Sequence, residues 1–210
     1  MMILYYSPGT ASMVVHWLLL ETGLPHELRL VDFEARAQKS PEYLKLNPGG
    51  VVPTLLIDGE PLTEAAALAM HLADLAPQSA LAPAPGSIER ARYLQWFLYC
   101  ANTLQPAFRA WWYPDEPAGP GNAALAKQAA EARIAACFDR IDAHLASHGP
   151  YLLGERVSAA DFFLTMLMRW SRKLPRTALD WPHLRTLADA MRARPSFRAL
   201  YAAEGLDEWA

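Results

Sequence analysis

Strand signals in this sequence are confined to the first 76 residues, and the chain beyond residue 87 has helical periodicity throughout. In the first part, short apolar runs typical of strands alternate with segments of helical spacing. Their order predicts βαβαββα, a small mixed sheet with helices on both faces. The later part predicts about five helices and no strand. The fold class is therefore predicted to be α/β plus all-α.

The segment PQSALAPAPGS lies between the two parts and is interpreted as a linker, because it is rich in Pro, Ala and Ser and has no periodicity. We predict an N-terminal domain over residues 1–77, a linker over 78–87 and a helical domain over 88–210. Asp58-Gly59 is a hairpin signal. Pro106 is expected to bend or break a long helix. The stretch PDEPAGPG that follows this helix is predicted to be a loop.

Composition disfavours several classes of partner. The net charge of −3 provides no basic field for a phosphate backbone, so we expect no nucleic acid. No apolar stretch approaches the roughly 18 residues of a membrane span, and no export signal is recognised, so we expect a cytoplasmic protein without a membrane partner. Cys100 and Cys137 are interpreted as buried core residues. The histidines show no spacing that suits a metal, and none is expected.

The loop SPGTAS connects the first strand to the first helix. In redox proteins built on a strand, a tight loop and a helix, this loop usually holds a cysteine, but here it holds hydroxyl side chains. Amides at a helix N-terminus favour an anion, and neighbouring hydroxyls can donate hydrogen bonds to it. Tyr6, Thr10 and Ser12 are the candidate donors, and Ser12 has the alternative role of helix cap.

Two further stretches of the first domain indicate a binding site. In NPGGVVPTL, Pro53 begins what is predicted to be an interior strand, which is unusual because proline has no amide hydrogen. A cis Val52-Pro53 bond would resolve this and leave the Val52 backbone free to pair with an extended peptide. In PLTEAAALAMHL, Glu64 is predicted in the first turn of a helix. It either serves there as a favourable helix-start charge or receives a ligand's ammonium group.

A sharp local signal occurs in GERVSAADFF. Ser158 lies three residues before Asp161, the spacing of a capping box at a helix start. Such a box is worth roughly 1 kcal/mol per capping group. We assign it a role in folding and none in catalysis.

Together these stretches resemble the cytosolic glutathione transferase family over nearly the whole chain. The resemblance is carried by LYYSPGTAS, LNPGGVVPTL, LTEAAALAMHLAD, GPYLLGERVSAADFFL and WPHLRTLADAMRARPSFRALY. The opening stretch is most similar to the bacterial beta class, whose members commonly read Pro-Gly-Ala-Cys-Ser there, and Ala11 takes the cysteine position. The resemblance implies a thioredoxin-like N-terminal domain, a helical domain and a homodimer.

The resemblance also implies roles for individual residues. Glutathione would pair with Val52 before Pro53. Its γ-glutamyl end would lie near Glu64 and Ala65, where much of the family has serine or threonine. Ser12 ranks first as the group that activates the thiol, Thr10 second and Tyr6 third. The residues expected to bind the electrophile are Phe108, Arg109, Trp112, Tyr113 and Trp170.

Three consecutive aromatic residues, 111–113, point in different directions along a helix, so we expect at least one to face a cleft that suits a flat, apolar electrophile. The implied activity is conjugation of glutathione, the co-substrate, to such an electrophile in detoxification. One alternative is a binding or regulatory protein of the same fold with little catalysis, which Ala11 and Ala65 favour. The other is a glutathione-dependent disulfide reductase, which Ala11 disfavours.

Overall fold

A computed structural model describes residues 1–209, and these residues form two compact units. The first unit comprises Met1–Ala82 and Arg192–Glu208, and the second comprises Pro83–Met191 together with Trp209. A four-stranded sheet with flanking helices forms the first unit, whereas the second is built from helices. The predicted α/β plus all-α fold is therefore confirmed.

The sheet of the first unit consists of β1 (Met2–Tyr6), β2 (His26–Leu30), β3 (Thr54–Ile57) and β4 (Glu60–Leu62). The strand order is β2-β1-β3-β4. β1 is parallel to β2 and antiparallel to β3, and β3 is antiparallel to β4. Leu4 and Leu55 lie opposite each other on the two interior strands and are fully buried. This pair therefore belongs to the core of the first unit.

The turn between β3 and β4 has the backbone geometry that its sequence predicts. Asp58 has a φ of 50° and Gly59 has a φ of 92°. Positive φ at both central residues matches the twist of a tight hairpin, and glycine adopts it without steric cost. The Met1 ammonium group, 2.5 Å from the Asp58 carboxylate, lowers the pKa of Asp58. The chain terminus therefore contacts this turn.

Three helices connect and cover the strands: α1 (Ser12–Thr22), α2 (Pro41–Leu46) and α3 (Ala65–Leu75). The first eight residues of α1 are all buried. Gly23 ends α1 with a φ of 68°, the left-handed conformation that favours glycine past a helix terminus. The first domain thus has the predicted order βαβαββα.

The second unit contains α4 (Ile88–Tyr99), a π-helical turn (Cys100–Leu104), α5 (Gln105–Trp112), α6 (Asp115–Ala118), α7 (Ala123–His148), α8 (Ala159–Trp170) and α9 (Pro182–Arg192). None of the helices within residues 1–209 combines the length and the apolar character that a membrane span requires. The core of the unit includes the fully buried rings of Tyr93, Phe97, Phe162 and Phe163.

Pro106 lies in the first turn of α5, directly after the π-helical turn. The long predicted helix therefore continues to Trp112 but has π geometry directly before the proline, which cannot donate a hydrogen bond to the preceding turn. The predicted loop PDEPAGPG is wrong in part, because it contains the short helix α6. Asp115 and Glu116 are favourable in the first turn of that helix. Cys100 and Cys137 are buried and form no disulfide, which confirms their interpretation as core residues.

The predicted capping box at the start of α8 is confirmed, and it holds a second segment as well. Asp161 Oδ2 accepts hydrogen bonds from the Ser158 amide at 2.7 Å and from its hydroxyl at 2.9 Å. Asp161 Oδ1 accepts a third, from the Leu152 amide at 2.9 Å. Burial raises the pKa of the Asp161 carboxyl to about 6. One buried carboxylate therefore fixes both the helix start and the chain before it.

The last helix, α10 (Pro195–Glu204), belongs to the first unit. This differs from the predicted helical domain over residues 88–210. Trp17 of α1 explains the difference: its indole N–H donates to Ser196 at 2.9 Å, and its ring packs against Phe197 with centroids 5.1 Å apart. Periodicity identifies α10 as a helix but does not identify the surface on which it packs.

Candidate functional site

The loop after β1 is closed by hydrogen bonds among its own groups. Thr10 Oγ1 donates to the Ser7 carbonyl at 2.7 Å, and Ser12 Oγ donates to it at 3.1 Å. The two hydroxyl oxygens lie 2.9 Å apart, and the Ser7 amide donates to Ser12 Oγ at 3.2 Å. Ser12 is fully buried, whereas Thr10 is half-buried. Ser12 therefore stabilises the loop from within, and Thr10 is the less buried of the two residues.

The residue before α1 provides no side-chain cap, but the Ser12 amide donates to Thr10 Oγ1 at 3.4 Å. Ser12 is the first residue of the helix, and Ala11 precedes it without a side-chain hydrogen bond to the helix. The alternative role of Ser12 as helix cap is therefore not observed, since its hydroxyl turns back to Ser7. Within residues 1–209 no hydrogen bond engages the Ala11 amide. The helix N-terminus consequently presents this N–H as a donor.

The same loop is held from α10 by Glu204. Glu204 Oε2 accepts a hydrogen bond from the Gly9 amide at 2.8 Å, and Oε1 lies 2.8 Å from His16 Nδ1. The side chains of His16 and Glu204 are 1% and 0% exposed. A carboxylate only accepts, so His16 donates through Nδ1. Glu204 therefore joins the loop, α1 and α10 through one buried group.

Tyr6, the third predicted donor, ends β1 with its ring against His16, the centroids being 5.7 Å apart. Burial raises the pKa of the Tyr6 hydroxyl, and the Glu204 carboxylate raises it further. Tyr6 therefore keeps its proton at neutral pH and remains a hydrogen-bond donor.

The backbone around Pro53 is arranged as predicted. The Val52-Pro53 peptide bond is cis. The preceding carbonyl, of Val51, accepts hydrogen bonds from the Tyr43 hydroxyl at 2.7 Å and the Asn47 side chain at 2.8 Å. In the part of the chain that the structure describes, neither the amide nor the carbonyl of Val52 has a hydrogen-bond partner. These two groups have the polarity needed to pair with an extended peptide.

The sheet brings these two regions together. Tyr5 of β1 lies opposite Thr54 of β3, at the end of the antiparallel ladder. The residues that follow β1 and those that precede β3 leave the sheet at the same end. The loop from Ser7 to Ser12 and the Val52-Pro53 bond therefore both lie at this end of the β1–β3 ladder.

Glu64 precedes α3, whereas the sequence predicts it in the first turn of that helix. Its φ is 70°, and α3 begins with Ala65. A non-glycine residue with positive φ is uncommon and costs of order 1–3 kcal/mol, and such residues cluster at binding sites. Glu64 is exposed and Ala65 is buried. Ala65 can offer a ligand only its backbone amide at the start of α3.

The residues predicted to bind the electrophile belong to the second unit, and they differ in exposure. Phe108 is fully buried and packs at right angles to Trp170, with centroids 6.1 Å apart. Trp112 is half-buried, and Tyr113 is 51% exposed with the Arg109 guanidinium 5.0 Å from its ring centroid. Residues 111–113 are therefore not all buried, and that one of them faces a cleft stays a prediction.

Sequence reasoning missed the residues that hold the site in place. Glu204 and His16 lie 188 positions apart, and neither stands in a recognisable motif. Asn47 stands in the stretch LNPGGVVPTL, but the sequence does not reveal that its side chain holds the segment before Pro53. Arg172 and Lys173, which lie against Trp112, stand in the basic run RWSRKLPR, and that run was the one signal available for them.

Comparison with known proteins identifies the family to which the chain belongs. Residues 10–75 match the family model "Glutathione S-transferase, N-terminal domain", and residues 123–203 match "Glutathione S-transferase, C-terminal domain". The chain is 34% identical to glutathione S-transferase GST-4.5 of Xanthomonas campestris, across 98% of this chain and all of that protein. The chain belongs to the glutathione S-transferase family. The predicted family is thereby confirmed.

Solved structures of the family have the same fold as this chain. A glutathione transferase homologue from Sulfitobacter, crystallised with bound glutathione, is 31% identical with a TM-score of 0.90, and 99% of each chain is covered. The beta-class glutathione S-transferase of Sphingomonas chungbukensis is 30% identical with a TM-score of 0.85, covering 98% of this chain and all of that one. One of these relatives is a beta-class enzyme, which agrees with the similarity to that class expected from the opening stretch.

Proposed function

We propose that the protein is a glutathione transferase that conjugates the glutathione thiolate to apolar electrophiles. The observation that carries the proposal is the position of the Ser7–Ser12 loop and of the Val52-Pro53 bond at the same end of the β1–β3 ladder. The cysteinyl backbone of glutathione pairs with the Val52 amide and carbonyl, and its thiol lies at the N-terminus of α1. The named transferases among the relatives support this activity.

The other end of glutathione is assigned to the start of α3. Its γ-glutamyl carboxylate accepts from the Ala65 amide, where the helix dipole favours an anion. Its ammonium group pairs with Glu64, whose unusual backbone conformation is the supporting observation. Ala65 has no hydroxyl, so this end is held by one hydrogen bond fewer than a serine would provide.

The chemistry requires a thiolate. A free thiol has a pKa near ~8.5, and lowering it by two units needs about 2.7 kcal/mol. One hydroxyl donor together with the α1 N-terminus is sufficient in magnitude. The sulfur attacks the electrophilic carbon, a carbon–sulfur bond forms, and the leaving group departs with its electron pair. The thiol proton passes to water.

Thr10 is proposed as the hydroxyl that donates to the thiolate, ahead of Ser12. Thr10 is half-buried, and the Ser7 carbonyl still accepts from Ser12 when Thr10 turns away. We expect Thr10→Val, which keeps the side-chain shape, to raise the pKa of bound glutathione by about one unit, because one charge-assisted hydrogen bond is lost. The measurement is the pH dependence of kcat/KM for a generic aryl halide.

Two variants serve as controls for Thr10. Ser12→Ala removes a hydroxyl from the same loop, and Tyr6→Phe removes the third candidate donor. We expect Ser12→Ala to lower the stability of the protein without changing the thiol pKa. Tyr6→Phe is expected to change neither the stability nor the thiol pKa. An equal pKa change in Thr10→Val and Ser12→Ala would show that loop geometry, rather than direct donation by Thr10, activates the thiol.

The activity itself is tested by retention on immobilised glutathione and by conjugation of an aryl halide. Retention with turnover is expected. Retention without turnover would instead favour the binding or regulatory protein, which the absence of a loop cysteine and of a hydroxyl at Ala65 supports. Loss of both would reject glutathione as the ligand.

Disulfide reduction is the weaker alternative. Ala11 leaves no protein sulfur in the loop to form a mixed disulfide, so reduction would have to run through glutathione itself. A disulfide-exchange assay that outpaces conjugation would favour it.

We further propose a cytoplasmic homodimer that acts in detoxification without a metal. Large apolar side chains at the surface support self-association, among them Leu75, Ile88 and Leu98, which are 45%, 69% and 50% exposed. Each unit contributes at least one of these residues.

A further inference from the structure

A basic segment of the second unit lies against the predicted electrophile-binding aromatics. Residues 169–176, RWSRKLPR, include four basic side chains and no acidic one, although the net charge of the chain is −3. The segment ends α8 and forms a 3₁₀ turn over Ser171–Lys173. This turn places Arg172 with its guanidinium carbon 5.6 Å from the Trp112 ring centroid, and Lys173 with its Nζ at 5.9 Å.

Two of the neighbouring cations, Arg109 and Arg176, are already paired with carboxylates. Arg109 donates to Glu116 at 2.7 Å, and the closest approach of Arg176 to Asp139 is 3.9 Å. Lys173 is exposed and forms no ion pair within residues 1–209. The positive charge beside Trp112 is therefore not neutralised by the protein at Lys173.

The aromatic surface next to this charge is held in place. Trp111 is buried, and its indole N–H donates to Glu131 at 2.8 Å. Trp112 packs edge-on against Trp111, with centroids 4.9 Å apart and an interplanar angle of 87°. Tyr113 follows at the surface. Trp112 and Tyr113 thus present aromatic surface beside an unneutralised ammonium group.

We infer that the second substrate is an aromatic electrophile that carries an anionic group such as a carboxylate. Its ring packs against Trp112 and Tyr113, and its anion pairs with Lys173. This inference rests on the proposed function and specifies the electrophile as an apolar aromatic ring with one anionic substituent. A charge-assisted hydrogen bond to the anion provides the preference, and salt weakens it because Lys173 is exposed.

The experiment compares para-chloro-meta-nitrobenzoate with the corresponding amide. Glutathione sulfur replaces chloride at the same ring carbon in both, and each kcat/KM is divided by the uncatalysed rate constant. We expect Lys173→Gln to lower this ratio about tenfold for the benzoate and less than about twofold for the amide. Added sodium chloride lowers the benzoate ratio alone.

Arg140→Gln is the matched control. Arg140 also lies over an aromatic ring of the second unit, that of Tyr99, with its guanidinium carbon 4.4 Å from the centroid. Its replacement removes one positive charge and two cation–π contacts, to Tyr99 and Trp96, outside the basic segment. We expect both substrates to react with Arg140→Gln as they do with the wild type.

The outcomes separate the inference from the proposed function. If the amide is conjugated and Lys173→Gln leaves the benzoate unchanged, the inference is overturned and the transferase activity stands. If neither compound is conjugated, the proposed activity fails on these substrates. Calorimetry with the benzoate then decides the inference: binding that weakens in Lys173→Gln supports it, and no binding to the wild type overturns it.

Discussion

Replacing Asp161 by Ala is expected to destabilise the protein by about 3–5 kcal/mol. The change removes the acceptor of three hydrogen bonds, from the Leu152 amide and from the amide and hydroxyl of Ser158. Asp161 is fully buried, so water cannot replace the lost acceptor. At neutral pH, above its pKa of about 6, the carboxylate is ionised and accepts all three. Urea unfolding followed by circular dichroism measures the loss.

Asp180 provides a matched control for Asp161. It forms the same motif with Thr177, accepting from the Thr177 amide at 2.7 Å and from its hydroxyl at 3.0 Å, but it is exposed. We expect Asp180→Ala to cost less than about 1 kcal/mol, since water solvates the freed donors. Equal losses in the two variants would mean that burial of Asp161 contributes nothing to the stability of the helix start.

Features that depend on a few neighbouring residues were predicted from the sequence. Gly23 at the end of α1, the Asp58-Gly59 turn and the Ser158–Asp161 box follow from local backbone geometry and short-range hydrogen bonds. The fold class follows as well, because the order of strands and helices leaves few arrangements. Family resemblance then supplied the proposed role of Val52, for which local rules predict only an amide and a carbonyl without hydrogen-bond partners.

Features that depend on distant residues were not predicted. The sequence pattern ranked Ser12 first among the donors, whereas packing buries Ser12 and leaves Thr10 more accessible. Glu64 was placed one residue too far into its helix, because propensity does not reveal a positive φ at the boundary. The assignment of α10 to the first unit depends on Trp17, 179 positions before Ser196. Contacts of this separation leave no periodic signal.

The second large effect is expected at Glu204, the residue through which α10 contacts the loop. Glu204→Ala is expected to weaken glutathione binding at least about tenfold, because the Gly9 amide and His16 Nδ1 both lose their buried acceptor. Without that acceptor the loop from Ser7 to Ser12 keeps its internal hydrogen bonds but loses the hydrogen bond that holds Gly9 to α10. The same change is expected to lower stability by about 2–4 kcal/mol. Calorimetric titration with glutathione and urea unfolding measure the two effects.

Glu21→Ala separates the loss of loop position from a general loosening of α10. Glu21 also joins α1 to α10, through Arg194 and Ser196, but it does not contact the loop. We expect Glu21→Ala to lower stability while leaving the glutathione Kd within about twofold of the wild type. If both variants lost affinity in proportion to stability, Glu204 would be a packing residue like Glu21. A loss of affinity confined to Glu204→Ala means that the buried carboxylate positions the glutathione loop from the far end of the chain.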